Sequence, residues 1–489
     1  MTIRFFNTLT NKLDVFRTIV DGQAGLYTCG PTVYDYAHIG NFRAFVFEDL
    51  LRRFLETSGY KVKHVMNLTD VDDKTIAGAN KAGLGLDDYT EKYIAAFNED
   101  LATLNCLPPH EQPRATRKIE EMLDLIQALI AKDMAYVSEG SVYFRVANFP
   151  GYGKLSKKKL EMNVAGASER VDADEYESKE QVSDFVLWKA AKEGEPSWAS
   201  PWGVGRPGWH IECSAMSMET LGFTFDLHAG GEDLIFPHHE NEIAQSEGAT
   251  GVPFVNYWLH CKFLLVEGEK MSKSKGNFYT LRDLLAKGHD PMAVRCALLS
   301  THYRSSLNFT FDGLKDSGEL IRKLDECFWQ CISRKGHAHK GSYNAEHDRA
   351  VLGRYLDDIE KWLSDDLNVS AAFADVLEGV KFINTQLALH GETEMNNTAL
   401  DLALDFLRMI DRIFGFDVTS VEEIPLKIIQ LMEERAEVRR QVASDKANKV
   451  LWAKSDALRN EIQALGWMVK DGKPGEGSTL KKKRRAWDV

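Results

Sequence analysis

Strand–helix–strand alternation in the first 130 residues, its return after residue 200, and a run of amphipathic segments from about residue 316 predict an α/β chain. The expected architecture is a Rossmann-like parallel-sheet domain, broken by one inserted domain and followed by C-terminal all-helical domains. At 489 residues the chain is too long for one ordinary core, and roughly three to four domains are expected.

Leu26 to Cys29 reads as a short buried strand that Gly30 and Pro31 break. Phe42, Phe45, Val46, Leu50 and Phe54 recur at helical spacing and predict a helix from Phe42 to Glu56, with Gly59 past its end. Lys61 to Leu68 is the second strand of this βαβ unit. In such a unit a ligand sits at the carboxyl ends of the strands, beside a helix N-terminus whose free N–H groups favour phosphate. Residues 131–199 differ in character and read as the insertion: short alternating strands from Ser141 to Val146, a basic run at Lys154 to Lys159, then acidic Asp172 to Glu180. Glu193 to Gly208, rich in Gly, Pro and Trp, reads as a long structured loop. Strands resume at Phe223 to Leu227 and Tyr257 to Val266, which places residues 1–130 and 200–262 in one catalytic domain. From Phe311 onward no strand is expected. Leu314 to Phe414 predicts several amphipathic helices, and Pro425 to Gly466 one or two charged ones.

Composition narrows the class. Apolar residues make up 44% and charged residues 27%, which fits a soluble globular protein. The first 18 residues lack an unbroken apolar core and no window approaches a membrane span, so a cytoplasmic protein without membrane contact is expected. Seven scattered cysteines do not form a secreted disulfide pattern and are expected reduced, Cys327 and Cys331 as core or surface thiols. A net charge of −13 argues against a DNA-coating protein, while RNA needs only a local basic surface.

Two short motifs carry chemistry. His38-Ile39-Gly40-Asn41 opens the first predicted helix, and Lys270-Met271-Ser272-Lys273-Ser274 follows the last strand of the sheet. A compact turn with glycine admits a nucleotide close to backbone, and a loop with two lysines can neutralise a pyrophosphate leaving group. Either motif alone is weak; together, in this order, they point to an ATP-activating site. Cys29, Cys213, and His238 with Glu242 at i and i+4 offer two thiolates, an imidazole and a carboxylate, the donor types of a tetrahedral zinc site. Their spacing alone does not separate a metal site from buried structural cysteines. A zinc-protease His-Glu-x-x-His reading fails at Ile243, which holds the place of the second histidine.

The two motifs resemble the signatures of class I aminoacyl-tRNA synthetases. Tyr27 to Arg43, Leu68 to Lys74, Arg206 to Met216 and Phe225 to Glu247 resemble the cysteinyl-tRNA synthetase family in particular. That resemblance implies a cysteine–tRNA ligase that forms cysteinyl-adenylate from L-cysteine and ATP, with Mg2+, and passes the cysteinyl group to the terminal adenosine of tRNA(Cys). It implies one Zn2+ per chain on Cys29, Cys213, His238 and Glu242, holding the substrate's thiolate. It also implies that His38 and Asn41 line the phosphates and that Gly40 lets adenine pack on backbone. Lys270 and Lys273 would clamp the pyrophosphate, Asp233 would bind the ATP ribose, and Thr69, Trp209 and His228 would shape the amino-acid pocket. Asn41 departs from the class-wide histidine, and an amide cannot carry charge. The implied domains continue as a stem-contact region at 263–315 carrying the lysine loop, a helical bundle at 316–420 and an anticodon-binding domain at 421–489. In that last domain Arg435, Arg439, Arg440, Lys446, Lys449, Lys454, Arg459 and the basic end from Lys481 to Arg485 would meet phosphates, and Trp452, Trp467 and Trp487 would stack on bases. Family members of bacterial type are commonly monomers, and the chain has no long heptad seam. Two rivals remain open at this point: a ligase that joins cysteine to an amino sugar, and a non-catalytic zinc-dependent RNA-binding module.

Overall fold

The structure is a computed structural model, and it describes residues 2–158, 179–335, 344–390, 396–420, 425–445, 447–471 and 478–482. Lys159, the acidic stretch from Asp172 to Ser178, Lys446, residues 483–485 of the basic end and Trp487 lie outside these residues.

The chain begins with a hairpin, β1 (Arg4–Asn7) and β2 (Lys12–Val15), followed by β3 (Gln23–Thr28), α1 (Ile39–Thr57) and β4 (Lys61–Met66). Three helices follow, α2 (Asp73–Ala82), α3 (Leu86–Thr103) and α4 (Ile119–Ala131). Strands β5 (Ala135–Ser138), β6 (Ser141–Phe144), β7 (Phe185–Ala190) and β8 (Gly205–Pro207) form a separate antiparallel sheet. The expected loop from Glu193 to Gly208 therefore contains a strand, β8, whose three residues pair with Trp188, Lys189 and Ala190.

Next come α5 (Trp209–Leu221), β9 (Phe225–Gly231), α6 (Glu240–Thr250) and β10 (Val255–Cys261). The central sheet is parallel in the order β4-β3-β9-β10. Alternate residues face two different cores. Leu26, Leu227, Leu259 and Met66 join one, and Tyr27, Trp258 and Val65 join the other. A sheet covered on both faces needs continuous apolar strands, which is how these four read. From β3 the chain crosses to β4 on one side, and from β9 it crosses to β10 on the other. The sheet thus has its switch point between β3 and β9, and in doubly wound sheets ligands bind at the strands' carboxyl ends beside such a point.

The expected strand from Tyr257 to Val266 is split. After Cys261 the chain leaves the sheet, and β11 (Leu264–Val266) pairs instead with β12 (Glu269–Lys270) and, in parallel, with β13 (Leu307–Phe309). Between β12 and β13 lie α7 (Leu281–Ala286) and α8 (Pro291–Leu299). The helices expected beyond Phe311 follow as α9 (Phe311–Lys335), α10 (Glu346–Ser364), α11 (Val369–Leu389) and α12 (Asn397–Phe414), with α13 (Leu426–Ser444) and α14 (Lys449–Ala464) after them. Cys327 and Cys331 are fully buried thiols on α9.

The expectation that strands end at Phe311 is corrected near the C-terminus. β14 (Trp467–Asp471) and β15 (Ser478–Lys482) form an antiparallel hairpin that packs on α14. Trp467 and Val469 alternate into a small core with Ile428, Val438, Leu458 and Ile462, which is separate from the two larger cores. Trp467 is therefore a core residue and not a face for bases. Arg435 is likewise buried, because both its terminal nitrogens bond the Asp471 carboxylate at 2.7 and 3.0 Å, beside Arg439 and Arg459. Trp452, Arg440, Lys449 and Lys454 remain exposed. No helix among the described residues is long and apolar enough to cross a membrane.

Candidate metal centre and active site

The residues of interest gather at the carboxyl ends of β3 and β9. Cys29 follows β3 directly, and Gly30 must follow it because a β-carbon there would stand 1.7 Å from the Asn67 carbonyl oxygen at the end of the neighbouring strand. Cys213 sits on α5. His238 lies in the irregular turn between β9 and α6, where Phe236 is extended, and Glu242 is in the first turn of α6. One donor atom from each of Cys29, Cys213, His238 and Glu242 lies within 4.8 Å of the others. The thiols are 3.7 Å apart, Cys29 Sγ is 3.8 Å from Glu242 Oε1, and His238 Nε2 is 3.0 Å from the same oxygen. Two thiolates bound tetrahedrally to zinc at about 2.3 Å stand about 3.8 Å apart, so the sulfur pair fits.

His239 was not expected here. Its Nε2 is 3.4 Å from Cys29 Sγ, and a second set of donors, Cys29, His228, His239 and Glu242, also converges within 4.8 Å. Both sets share Cys29 and Glu242 and so could hold one ion between them rather than two. A soft, borderline metal favours the set with two sulfurs. The adjacent histidines 238 and 239 were legible as a pair, but only the fold tells which side of the donor cluster each approaches.

Histidines orient the cluster from outside. His228 Nε2 donates to Glu242 Oε2 at 3.0 Å, and its ring stacks on Trp258 with centroids 4.6 Å apart. His239 Nδ1 is 2.8 Å from His260 Nε2, and His260 Nδ1 is 2.7 Å from Thr8 Oγ1. His238 Nδ1 is 2.8 Å from His210 Nδ1, and Trp209 lies over the His238 ring at 4.3 Å. Such partners fix ring orientation and tautomer at metal sites. Burial alone would raise the Glu242 carboxyl, but His228 and His238 hold it at about 2. Burial would likewise raise the Cys213 thiol, yet its bonds to Cys29 and His238 bring it to about 6. Burial opposes charge on His238, and Glu242 and Cys213 overcome it to push the imidazole up to about 10. Without a metal the cluster thus favours one anionic sulfur, on Cys213, and the Glu242 carboxylate, while burial pushes the Cys29 thiol well above its usual range; a metal would have to displace the Cys29 and His238 protons, so its binding releases protons.

The two motifs meet at the N-terminus of α1. His38 is the N-cap of α1: its Nδ1 accepts from the Asn41 N–H at 3.2 Å, and Asn41 Oδ1 accepts from the His38 N–H at 3.2 Å. This reciprocal capping box accounts for an amide at position 41. With Nδ1 accepting, neutral His38 carries its proton on Nε2. Burial, with Lys273 nearby, lowers its pKa despite the Asp233 carboxylate. Asp233 itself is exposed in the short turn after β9.

The lysine loop is docked here. The Ile39 N–H donates to the Tyr279 carbonyl at 3.0 Å, and a β-carbon on Gly40 would meet Met271 Cε at 2.6 Å. Lys273 Nζ is 2.8 Å from Asp35 Oδ2 and lies over Phe278, whose ring packs edge-on to His38. Lys270 is exposed at the end of β12, and its carbonyl accepts from Asn277. Thr69 is buried, and its hydroxyl donates to Glu212 Oε2 at 2.8 Å, a partner that sequence reasoning missed. Burial, with the Cys213 thiol close by, pushes the Glu212 carboxyl well above its usual range.

Residues 15–319 match the model of the tRNA synthetases class I (C) catalytic domain. The chain is 45% identical over 482 residues to a cysteine–tRNA ligase of Brachyspira hyodysenteriae, covering 97% of this chain and 98% of that one. It is 46% identical over 485 residues to one from Solibacter usitatus, covering 97% and 99%. Among solved structures it resembles a Mycobacterium tuberculosis methionyl-tRNA synthetase in complex with methionyl-adenylate, with TM-score 0.60 and 14% identity over 80% of this chain and 92% of that one. It also resembles an Agrobacterium radiobacter LeuRS in a tRNA complex, with TM-score 0.59 and 11% identity over 83% and 87%. These distant likenesses show the fold alone; the full-length relatives and the domain match show that the chain belongs to the cysteine–tRNA ligase family of class I tRNA synthetases.

Proposed function

We propose that this protein activates L-cysteine with ATP and transfers it to tRNA(Cys), with Cys29, Cys213, His238 and Glu242 holding one zinc ion. The observation that carries the reading is the convergence of two thiols, an imidazole and a carboxylate within 4.8 Å, in a chain whose lysine loop docks on the His38 turn. The chemistry a bound zinc supplies there is preference for a thiolate over a serine hydroxyl, whose pKa is too high for easy ionisation. A hydrophobic pocket separates such similar side chains by only about 1–3 kcal/mol, so sulfur selectivity must come from the donor cluster.

In the first step an oxygen of the cysteine carboxylate attacks the α-phosphorus of MgATP. The bond to the bridging oxygen breaks, and pyrophosphate leaves. Lys270 and Lys273 neutralise that leaving group, while His38 donates its Nε2–H and Asn41 its amide N–H to phosphate oxygens. Lys273 must leave Asp35 to do so. Gly40 lets adenine approach backbone, and Asp233 takes the ribose hydroxyls. Thr69, Trp209 and His228 shape the amino-acid pocket, His228 by steadying Glu242. In the second step a hydroxyl of the terminal adenosine attacks the carbonyl carbon, and AMP leaves. Catalysis of this kind is positioning and charge stabilisation.

Residues 1–130 and 200–262 make up the catalytic domain and 131–199 its insertion. We assign stem contact to 263–315, a bundle to 316–420 and anticodon reading to 421–489, in a cytoplasmic monomer. ATP–pyrophosphate exchange that depends on cysteine and not on serine, followed by cysteinyl transfer to tRNA(Cys), is the expected result. Transfer to an amino sugar in place of tRNA would favour the rival ligase. Absence of exchange would leave only a binding module.

A further inference from the structure

The lysine loop is closed on itself by one side chain. After β12 the chain makes a short helical turn at Lys273–Lys275, reverses at Gly276, which lies in the left-handed region at φ 69°, and returns with Asn277 beside its own start. There the Ser272 N–H donates to Asn277 Oδ1 at 2.8 Å, and Asn277 Nδ2 donates to the Lys270 carbonyl at 3.2 Å. A carboxamide presents an acceptor and a donor side by side. The two bonds therefore bracket Met271 as a peptide unit of a neighbouring strand would.

Met271 is the residue that docks the loop. It packs against the core that α1 covers, and its Cε lies where a β-carbon on Gly40 would come within 2.6 Å of it. Lys273 stands two residues further on, exposed, with its ammonium on Asp35. A lysine carries its charge on a flexible four-carbon stem, so the positions its ammonium can reach are set by where its backbone is held. That backbone is fixed on one side by the Asn277 bond to Ser272 and on the other by the turn at Gly276.

We propose that Asn277 is a positioning residue for adenylate formation: acting through the backbone from Lys270 to Ser272, it keeps Lys273 within reach of the departing pyrophosphate. This rests on the reading above that Lys273 neutralises that group. A hydrogen bond in a partly exposed loop adds little to global stability, whereas a misplacement of about 1 Å can slow a reaction about a hundredfold. The contribution of Asn277 then lies in the rate.

The test is a double-mutant cycle of Asn277→Ala and Lys273→Ala in the zinc-loaded full chain. Single-turnover adenylate formation is followed at saturating cysteine and MgATP, and the KM for ATP, the cysteine affinity by calorimetry and the thermal midpoint are measured on each protein. Asn277→Ala alone is expected to slow the step about tenfold or more. It should leave the KM for ATP and the cysteine affinity within about twofold, and the thermal midpoint unchanged. In the Lys273→Ala background the same change should cost no more than about twofold, because the group it places is gone. An equal cost in both backgrounds, no cost at all, or a slower rate that comes with lost cysteine affinity or lost thermal stability would overturn the proposal while the reading of Lys273 stands. Lys273→Ala that leaves adenylate formation unchanged would overturn both.

Discussion

His38 and Asn41 cap one another across the first turn of α1, which gives each a structural task beside its proposed place at the phosphates. Asn41→Asp separates the two. Aspartate keeps an oxygen for the His38 N–H and so keeps the cap, worth about 1 kcal/mol, but it adds negative charge at the proposed triphosphate site. We expect near-normal thermal stability with a raised KM for ATP in pyrophosphate exchange. A variant that loses stability and keeps its KM would assign the residue to capping alone. Lys273 poses the opposite case: it is exposed, its pairing with Asp35 adds little to stability, and in the proposed reaction its value lies in the transition state. Lys273→Ala should slow adenylate formation by the equivalent of roughly 3–4 kcal/mol, with cysteine binding nearly unchanged. Single-turnover kinetics beside cysteine titration would check this, and a loss of cysteine affinity at unchanged rate would refute it.

Helix α1 was legible in the spacing of Phe42, Phe45, Val46, Leu50 and Phe54, but its buried polar residues were not. Asp49 receives Arg53 Nε at 2.8 Å and Arg295 Nη2 from α8. Arg295 further donates to the carbonyls of Phe414 at 2.7 Å and Leu104 at 3.0 Å, and Arg53 to that of Asn105 at 2.6 Å. A charged residue in a helix pattern reads as a solvated face until its distant partners are known, and these partners lie up to 365 residues from Asp49 in the chain, at Phe414. Burial would raise the Asp49 carboxyl, but the two guanidiniums hold it below its usual range. A depressed carboxylate contributes stability above its unfolded pKa of about 3.9 and loses it as pH falls through the lower folded value. Arg295→Leu should therefore cost about 3–5 kcal/mol near neutral pH and progressively less below about pH 4. Urea midpoints across pH would show this, and a cost that does not vary with pH would contradict it.

At the scale of the whole chain, the parallel sheet, the insertion and the helical second half follow from periodicity. The small C-terminal core does not. Trp467 and Val469 alternate over only five residues between a charged helix and a Gly/Lys-rich stretch, so their period-two signal is too short to read. The metal cluster was legible only as residue types at ordinary spacing; its closure depends on the switch point between β3 and β9. Because the terminal core is separate from the others, removal of residues 421–489 should spare cysteine-dependent pyrophosphate exchange while raising the KM for tRNA and erasing discrimination among anticodon variants. Aminoacylation of anticodon variants by full and shortened chains would decide it. A shortened enzyme that still discriminates would place the reader elsewhere.

The central claim is that one metal ion, held by Cys29, Cys213, His238 and Glu242, meets the substrate's sulfur. Cobalt in place of zinc makes this visible, because each thiolate bound to Co2+ adds near-ultraviolet sulfur-to-metal absorption. We expect a two-thiolate band in the cobalt protein, about half of it in Cys213→Ser, and an increase when L-cysteine but not L-serine is added. A spectrum that L-cysteine leaves unchanged, or that Cys213→Ser leaves at full intensity, would contradict the account.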